Sequence, residues 1–247
     1  EYESMSLYRQ VNDERLRFFM NITHELRTPL TLILGPLEDL KQDKELPVQP
    51  HEKVSIAYRS AQQLLSLVNE LLEFRKTETG NRKLEVRFDD LSQCVEETGA
   101  LFRDSNLNPD TQFRMEIETG VSAYFDSKVI TTILNNLLSN AMKYTPRGAV
   151  TLFLHTLTDN GVRYAEFGVS DTGYGMPEED LKHIFERYYR IHNSPDSSHI
   201  MGTGIGLALV KSLVVLHQAT IRVESRLHEG STCLLYTSPS PRDRTRS

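Results

Sequence analysis

A histidine followed directly by a glutamate occurs within the run FFMNITHELRTPL at residues 18–30. Apolar residues around this run recur at gaps of three and four, which predicts an amphipathic helix, and His24 falls roughly opposite their stripe. We therefore expect His24 to be exposed. Glu25 could accept a proton from one imidazole nitrogen and leave the other to attack, while Pro29 should kink or loosen the helix beside it. A lone histidine is more often an ordinary core or surface residue, but these neighbours favour a nucleophile.

A second polar cluster lies in the segment 127–144, SKVITTILNNLLSNAMKY, most of which is predicted to be a helix. Asn136, Asn140 and Lys143 share a stripe beside its apolar face, with Tyr144 next to them. Asparagine is a mediocre helix former, so two of them four residues apart call for an explanation. Hydrogen bonding along the helix surface is one explanation. The other is ligation of a hard cation by an amide oxygen, with Lys143 facing phosphate.

Two glycine-containing runs could complete such a site. DTGYGM (171–176) follows a predicted strand, and Asp171 could accept a hydrogen bond from an adenine amino group, although a plain turn explains the run equally well. GTGIGLALV (202–210) opens a predicted helix, so its glycines would expose backbone N–H groups to phosphate. It is neither a dinucleotide fingerprint nor a Walker A loop, because it opens no βαβ unit and no Gly-Lys-Ser/Thr follows.

The segment between the two glycine runs is predicted to supply a cation and a lid. IFERYYR (184–190) is predicted to be a short amphipathic helix with basic residues, and it overlaps the helical stretch expected at 178–188. Its last residue, Arg190, is favoured as the phosphate-facing cation, with solvent exposure as the ordinary alternative. HNSPDSSHI (192–200) has the composition of a mobile lid.

The elements that must position these groups fall into two regions. Residues 8–40 and 52–75 have a helical period, and the loop at 41–51 joins them as a helical hairpin. One hairpin buries little surface, so we expect two of them to form a four-helix bundle as a homodimer. After residue 76 strands alternate with helices, which predicts one mixed sheet with helices on one face, an α/β two-layer sandwich. The predicted strands are 84–88, 113–118, 150–157, 162–170, 221–225 and 232–236, and the predicted helices are 91–104, 127–143, 178–188 and 205–217.

Composition excludes several other classes of protein. The 247 residues are 38% hydrophobic and 25% charged, which is enough for a packed core and rules out a mostly disordered chain. The net charge of -6 provides no basic field that would recruit nucleic acid. No apolar run reaches the roughly 18 residues that span a bilayer. The two cysteines are far apart and match neither a metal site nor a disulfide framework, which fits a reducing compartment.

In chain order, these motifs resemble the H, N, G1, F and G2 boxes of sensor histidine kinases, over about residues 10–236. The resemblance implies a dimerisation and histidine phosphotransfer domain at 1–80, followed at 81–236 by a catalytic domain with the Bergerat ATP-binding fold. Residues 237–247 are rich in Ser, Pro and Arg, and we expect a disordered tail of cloning-derived character. In one departure, His217-Gln218 stands where the family often has His-Gly.

The resemblance also implies a role for each site residue. His24 would be phosphorylated and Glu25 would be its general base. Glu25 and Thr28 would form the family's E-x-x-T pair, in which Thr28 helps to position water when a response regulator is dephosphorylated. The positions assigned to ATP and Mg²⁺ are Asn136, Asn140 (the Mg²⁺ ligand), Lys143, Tyr144, Asp171 (the adenine acceptor), Gly173, Gly175, Arg190, Gly202, Thr203, Gly204 and Gly206.

Taken together, the motifs imply an ATP-dependent kinase that phosphorylates its own His24. The phosphoryl group would pass to an Asp of a response regulator receiver domain, with a reverse phosphatase activity. The family usually joins an upstream membrane sensor, so we expect the cytoplasmic portion of a membrane-anchored protein that contacts no nucleic acid directly. Three alternatives stay open. They are another Bergerat-type ATPase of the topoisomerase or MutL type, a non-enzymatic dimerisation scaffold with a degenerate pocket, and a core that acts mainly as a phosphatase.

Overall fold

The structure is a computed structural model that describes most of the chain as two compact units, Glu1–Thr79 and Gly80–Ser247. The described residues are 26–27, 30–41, 48–78, 82–105, 108–159, 162–187, 189–191 and 204–236. The predicted features that lie outside them are His24, Glu25, Thr28, Gly202, Thr203, the lid at 192–200 and the tail at 237–247.

Among the described residues, the first unit contains only helices and the second contains both helices and strands. In the first unit, the helical unit, the helices are α1 (residues 30–41) and α2 (Val48–Glu78). In the second unit, the α/β unit, the elements are β1 (Arg87–Asp90), α3 (Leu91–Ser105), β2 (Thr111–Ile117), β3 (Ser122–Phe125), α4 (Ser127–Tyr144), β4 (Gly148–Asp159), β5 (Val162–Asp171), a short 3-10 helix (Asp180–Lys182), α5 (Gly206–Leu216), β6 (Thr220–Arg226) and β7 (Gly230–Tyr236).

The two helices of the helical unit run antiparallel, as expected for a hairpin. The Arg27 guanidinium donates a hydrogen bond to the Asn69 side-chain oxygen of α2. At the other end of the pair, the Lys41 ammonium lies 4.8 Å from the centroid of the Tyr58 ring. The apolar side chains buried along the unit are Leu30, Ala61, Val68, Leu72 and Phe74. These contacts fix the pairing of the helices but cover only part of their apolar surface.

A second row of apolar side chains on α1 and just before it is left exposed. Leu26, Ile33 and Leu40 are spaced seven residues apart, and each exposes more than two fifths of its surface. A seven-residue apolar repeat is the seam of a helical bundle or coiled coil. The predicted four-helix bundle would cover this row, and it stays a prediction because a single chain is described.

The α/β unit is built on a five-stranded mixed sheet in the order β2-β4-β5-β7-β6. The pair β2–β4 is parallel and the other neighbours are antiparallel. The helices α3 and α5 each contact α4, and all three helices contact the sheet, so they form one layer against one of its faces. The expectation of a helical region followed by a two-layer α/β sandwich is confirmed.

The central helix α4 has a side-chain cap at its N-terminus and a continuous apolar face. Asp126 caps it, because its Oδ1 accepts hydrogen bonds from the backbone N–H groups of Lys128 at 3.0 Å and Val129 at 3.2 Å. The residues it buries are the predicted ones: Val129, Ile130, Ile133, Leu134, Leu137, Leu138 and Ala141. This packing leaves the polar stripe of the helix at the edge of the core.

Two details of the predicted α/β unit were wrong. The strand β1 pairs antiparallel with β3 in a separate two-stranded sheet, so the unit does not contain a single sheet. The strand β3 has four residues, which is too short to reveal an alternating pattern. The predicted helix at 178–188 is a single 3-10 turn, because its backbone N–H groups mostly bond three residues back, as His183 N does to Asp180 O at 2.8 Å.

Among the helices that the structure describes, none combines the length and the apolar character needed to cross a lipid bilayer.

Candidate functional site

The polar stripe of α4 is half-buried and faces the beginning of α5. The Asn136 amide nitrogen donates to the Thr132 carbonyl at 2.8 Å, one turn back. The amide oxygen of the same side chain, Asn136 Oδ1, lies close to the Cα of Gly206. A Cβ atom built at Gly206 would be only 2.8 Å from this oxygen. A glycine at the first residue of α5 therefore lets the two helices approach at Asn136. Asn140, one turn further on, is also half-buried.

Positive charge gathers at the C-terminal end of α4. The Lys143 ammonium lies 5.0 Å from the centroid of the Tyr144 ring. Burial raises the pKa of the Tyr144 hydroxyl, and the positive charge of Arg190 opposes that increase. The structure therefore brings Arg190, which is distant in sequence, close enough to Tyr144 for their electrostatic interaction to matter. A helix C-terminus already favours cations, and these two cations could meet the phosphates of a ligand.

The end of β5 presents a carboxylate in a largely buried setting. Asp171 Oδ1 accepts a hydrogen bond from Gly173 N at 2.8 Å and a longer one from Thr145 Oγ1 at 3.4 Å. Burial raises the pKa of Asp171, and donation from Gly173, the Ser231 backbone and Thr145 only partly opposes this increase. The result is a hydrogen-bond acceptor held in a fixed orientation at the strand end. Such a group can select a ligand that carries an amino group.

The turn after β5 is held tightly against the end of α4. A Cβ at Gly173 would lie 2.3 Å from the Tyr144 carbonyl oxygen, so no side chain fits there. The next residue, Tyr174, donates its backbone N–H to the same oxygen at 3.1 Å. Gly175 has a φ of +62° and packs against the Arg226 carbonyl in the β6–β7 hairpin. Gly173 thus borders the site, whereas the contacts of Gly175 are with the hairpin.

The helix α5 begins at a glycine and directs its first backbone N–H groups toward the chain that precedes it. Gly204 has a φ of +68°, a conformation that residues with a Cβ rarely adopt, and it turns the chain into the helix. Ile205 precedes the helix and has no side-chain oxygen that could cap it. The first N–H groups of an α-helix lack partners within the helix, and a helix N-terminus of this kind is suited to an anion.

Most of the predicted ATP-site residues that the structure describes lie in one region of the α/β unit. Those that the structure brings around the C-terminal half of α4, the end of β5 and the start of α5 are Asn136, Asn140, Lys143, Tyr144, Asp171, Gly173, Arg190, Gly204 and Gly206. Sequence reasoning missed Thr145, whose side chain is fully buried and supports Asp171. Its position before Pro146 marked a helix end, but nothing local indicated that Asp171 would be its partner.

Two protein-family models match the chain in the expected order. The model described as "His Kinase A (phospho-acceptor) domain" matches residues 14–80. The model described as "Histidine kinase-, DNA gyrase B-, and HSP90-like ATPase" matches residues 125–241. The second description also includes ATPases that are not kinases. The phospho-acceptor match upstream separates the kinases from that wider group.

Individual relatives agree with the family models. Histidine kinase P4 of Formosa agariphila is 34% identical over 90% of this chain, and the matched region is 16% of that protein. Sensor histidine kinase TmoS of Ectopseudomonas mendocina is 35% identical over 87% of this chain and 22% of its own length. The chain therefore spans about a fifth or less of these relatives.

A solved structure shows the same fold. Full-length ShkA in complex with AMPPNP superposes with a TM-score of 0.71, covering 91% of this chain and 47% of that one, at 24% identity. The fold, the two family models in sequence and the named relatives agree. This chain belongs to the sensor histidine kinase family.

Proposed function

We propose that the chain is the catalytic core of a protein-histidine kinase, which transfers the γ-phosphoryl group of ATP to its own His24 and then to an Asp of a response regulator receiver domain. Residues 1–80 would dimerise and carry the phosphorylated histidine. Residues 81–236 would bind ATP, and residues 237–247 would be a tail without a part in the reaction.

One observation carries the ATP half of the proposal. At the C-terminal end of α4, the half-buried carboxylate of Asp171 and the Gly173 turn lie beside Tyr144, next to Lys143, and the charge of Arg190 acts on Tyr144. Asp171 is suited to accept a hydrogen bond from the adenine amino group. Lys143 and Arg190 are suited to the phosphates, and the N-terminus of α5 is a second position that favours an anion. The site therefore offers an acceptor for the adenine end of a nucleotide and positive charge for its phosphate end.

The proposed transfer step exchanges one bond to the γ-phosphorus for another. One imidazole nitrogen of His24 attacks the γ-phosphorus of ATP, so that an N–P bond forms while the P–O bond to the β-phosphate breaks and ADP leaves. The carboxylate of Glu25 takes the proton from the other ring nitrogen. Lys143 and Arg190 offset the negative charge on the transferring group, as cations do in phosphoryl transfer generally.

A magnesium ion fits the donor set of this site. The amide oxygen of Asn140 is the hard type of ligand that Mg²⁺ prefers, and Mg²⁺ commonly completes its shell with water and substrate phosphates. Among the described residues, no three His, Cys, Asp or Glu side chains cluster as a metal site, so the phosphates would supply most of the remaining ligands. When bound, the ion would neutralise phosphate charge.

The proposal extends to partners and to the reverse reaction. The exposed row Leu26, Ile33 and Leu40 supports a homodimer. Glu25 and Thr28 would position water for dephosphorylation of the response regulator. Because the named relatives are several times longer, we propose an upstream sensor region and a cytoplasmic location for this portion of a membrane-anchored protein.

Labelling with γ-phosphate-labelled ATP and Mg²⁺ tests the proposal. We expect an acid-labile phosphoprotein from the unchanged chain and none from His24→Gln. His155→Gln is the matched control, since His155 lies on β4 with no proposed part in the reaction. Equal labelling of His24→Gln and the unchanged chain would show that His24 is not the phosphorylated residue. Release of free phosphate without labelled protein would favour the ATPase alternative, and failure to bind nucleotide would favour the scaffold.

Mixed dimers determine which subunit carries the transferred group. A His24→Gln chain and an Asn140→Ala chain are each expected to label poorly alone. If the mixture regains label, transfer occurs between subunits. If it does not, although mixed dimers form, transfer occurs within one subunit.

The adenine contact can be tested separately from catalysis. We expect Asp171→Asn to weaken ATP binding about tenfold or more, because replacing the carboxylate acceptor removes a hydrogen bond of the charged type. Asp104→Asn, in the exposed last turn of α3, is the matched control and should bind ATP normally. Titration calorimetry measures both. Equal affinities would remove Asp171 from the site.

A further inference from the structure

The segment between the β5 turn and residue 191 contains little regular structure. Its one helical element among the described residues is the 3-10 helix Asp180–Lys182. A hydrogen bond from the Tyr189 hydroxyl to Asp180 Oδ1 links two residues nine positions apart and so closes a loop. This side-chain hydrogen bond therefore holds the end of the segment close to its beginning, although no regular helix connects them.

Further contacts hold the same loop. The His183 ring lies 5.4 Å from the Tyr189 ring, centroid to centroid. His183 Nδ1 is 2.7 Å from Glu186 Oε1, and Ile184 is buried. The hydrogen bond to Asp180, together with burial and nearby carboxylates, raises the pKa of Tyr189 to about 12. The hydroxyl thus keeps its proton near neutral pH and can act as the donor.

The residue that follows this contact is the cation of the candidate site. Arg190 is adjacent to Tyr189 in the chain, and its charge acts on Tyr144 at the end of α4. The described backbone from 189 to 191 belongs to no helix or strand. No helix or strand therefore fixes the backbone at Arg190, and the Tyr189–Asp180 hydrogen bond is the described contact that holds its chain neighbour.

We propose that Tyr189 and Asp180 are positioning residues that direct Arg190 toward the phosphates of the bound nucleotide. This inference rests on the proposed function. Tyr189 touches Asp180 rather than the ligand, and the hydrogen bond acts through the backbone of the neighbouring arginine. Removing it should weaken contacts with phosphate and leave contacts with the adenine end unchanged.

The test uses the full chain and compares ATP with adenosine. Tyr189→Phe removes only the hydroxyl, and we expect ATP to bind about tenfold more weakly, because a hydrogen bond to a charged group is lost, while adenosine binding is unchanged. Asp180→Asn retains an acceptor oxygen but loses its charge, so it should weaken ATP binding less than Tyr189→Phe does. Tyr124→Phe, an exposed tyrosine on β3, is the matched control. Titration calorimetry gives each affinity, and thermal unfolding checks that each variant is folded.

A double-mutant cycle separates positioning from a general structural role. In an Arg190→Ala background, Tyr189→Phe should cause no further loss of ATP affinity. The inference is overturned if Tyr189→Phe binds ATP normally, weakens ATP and adenosine equally, or adds its full effect to Arg190→Ala. Failure of the unchanged chain to bind ATP would instead overturn the proposed function, so the two failures are distinguishable.

Discussion

The two units of this protein bury their apolar residues to very different extents. In the α/β unit, the large apolar side chains that α4 turns toward the core are buried, and Leu134 has 0% of its surface exposed. In the helical unit, Leu32 is 70% exposed and Ile33 is 51% exposed. A sheet covered by helices can complete a core within one chain. A hairpin of two helices buries less apolar surface by itself, which is why we propose a second copy for this part of the molecule.

That difference matches the two tasks proposed for the units. Nucleotide binding requires side chains held in fixed positions, which a complete core provides. Phosphotransfer requires a histidine accessible to two successive partners, the catalytic domain and the response regulator. A helical surface that depends on association can present such a histidine without enclosing it.

The largest expected effect comes from matched truncations in the two units. Leu134→Ala should lower the free energy of unfolding of the α/β unit by about 2–5 kcal/mol, because it leaves a cavity in a closed core. Leu32→Ala, the same change at an exposed position, should alter stability by less than about 0.5 kcal/mol. Denaturant unfolding followed by circular dichroism measures both. Equal losses would contradict the difference in packing.

The next effect concerns association. Ile33→Asp places a charge in the exposed row of α1, and we expect the dimer to dissociate at concentrations where the unchanged chain is dimeric. Leu32→Asp, one position away and outside that row, is the matched control and should remain dimeric. Sedimentation equilibrium gives the mass of each. A monomeric unchanged chain would remove the basis of the four-helix bundle.

The α/β unit should also lose stability in mild acid. His217 Nε2 lies 3.1 Å from the Asp126 backbone nitrogen and accepts its hydrogen, which requires a neutral imidazole. Burial lowers the pKa of His217, and the charge of Asp126 only partly opposes this. The unfolded state therefore binds the extra proton first, so this contribution is present above about pH 6.5 and declines as the pH falls through 6.5 toward the lower, folded-state pKa.

His217→Gln tests the source of this pH dependence. The glutamine amide oxygen can accept the same hydrogen bond but does not titrate. Unfolding at pH 7.5 and 5.5 should show a smaller decrease for the variant than for the unchanged chain. If both chains lose equal stability, His217 is not the group responsible.

The smallest effect is a gain in stability. Gln218 has a φ of 56°, and it follows α5 in a Schellman arrangement: Gln218 N bonds to Val215 O at 3.0 Å and Ala219 N bonds to Val214 O at 3.0 Å. Glycine adopts this conformation without strain, so Gln218→Gly should raise the free energy of unfolding by about 1 kcal/mol. Gln93→Gly, inside α3, should lower it. A loss at both positions would contradict the assignment of strain to Gln218.

Local patterns in the sequence predicted α4 well. Its apolar period identified the residues that it buries, and the same spacing placed Asn136, Asn140 and Lys143 at the edge of that face. These features depend on neighbours within a few residues. A helical wheel is therefore sufficient to find them.

Contacts between distant segments could not be predicted in the same way. Asp171 meets Thr145 only because β5 packs beside α4, and no local pattern indicates that pair. The predicted helix at 178–188 was wrong because hydrogen bonds three residues back and the Tyr189–Asp180 contact hold that segment. The positions of His24, Glu25 and Thr28 stay predictions, since they lie outside the described residues.

Separating the two units tests the central claim most directly. Fragments 1–79 and 80–247 can be prepared alone and mixed with labelled ATP and Mg²⁺, and the labelled residue can be located by mass spectrometry. We predict label on His24 of the first fragment, and only when the second fragment is present. Label confined to fragment 80–247, or undiminished on a first fragment that carries His24→Gln, would contradict the account.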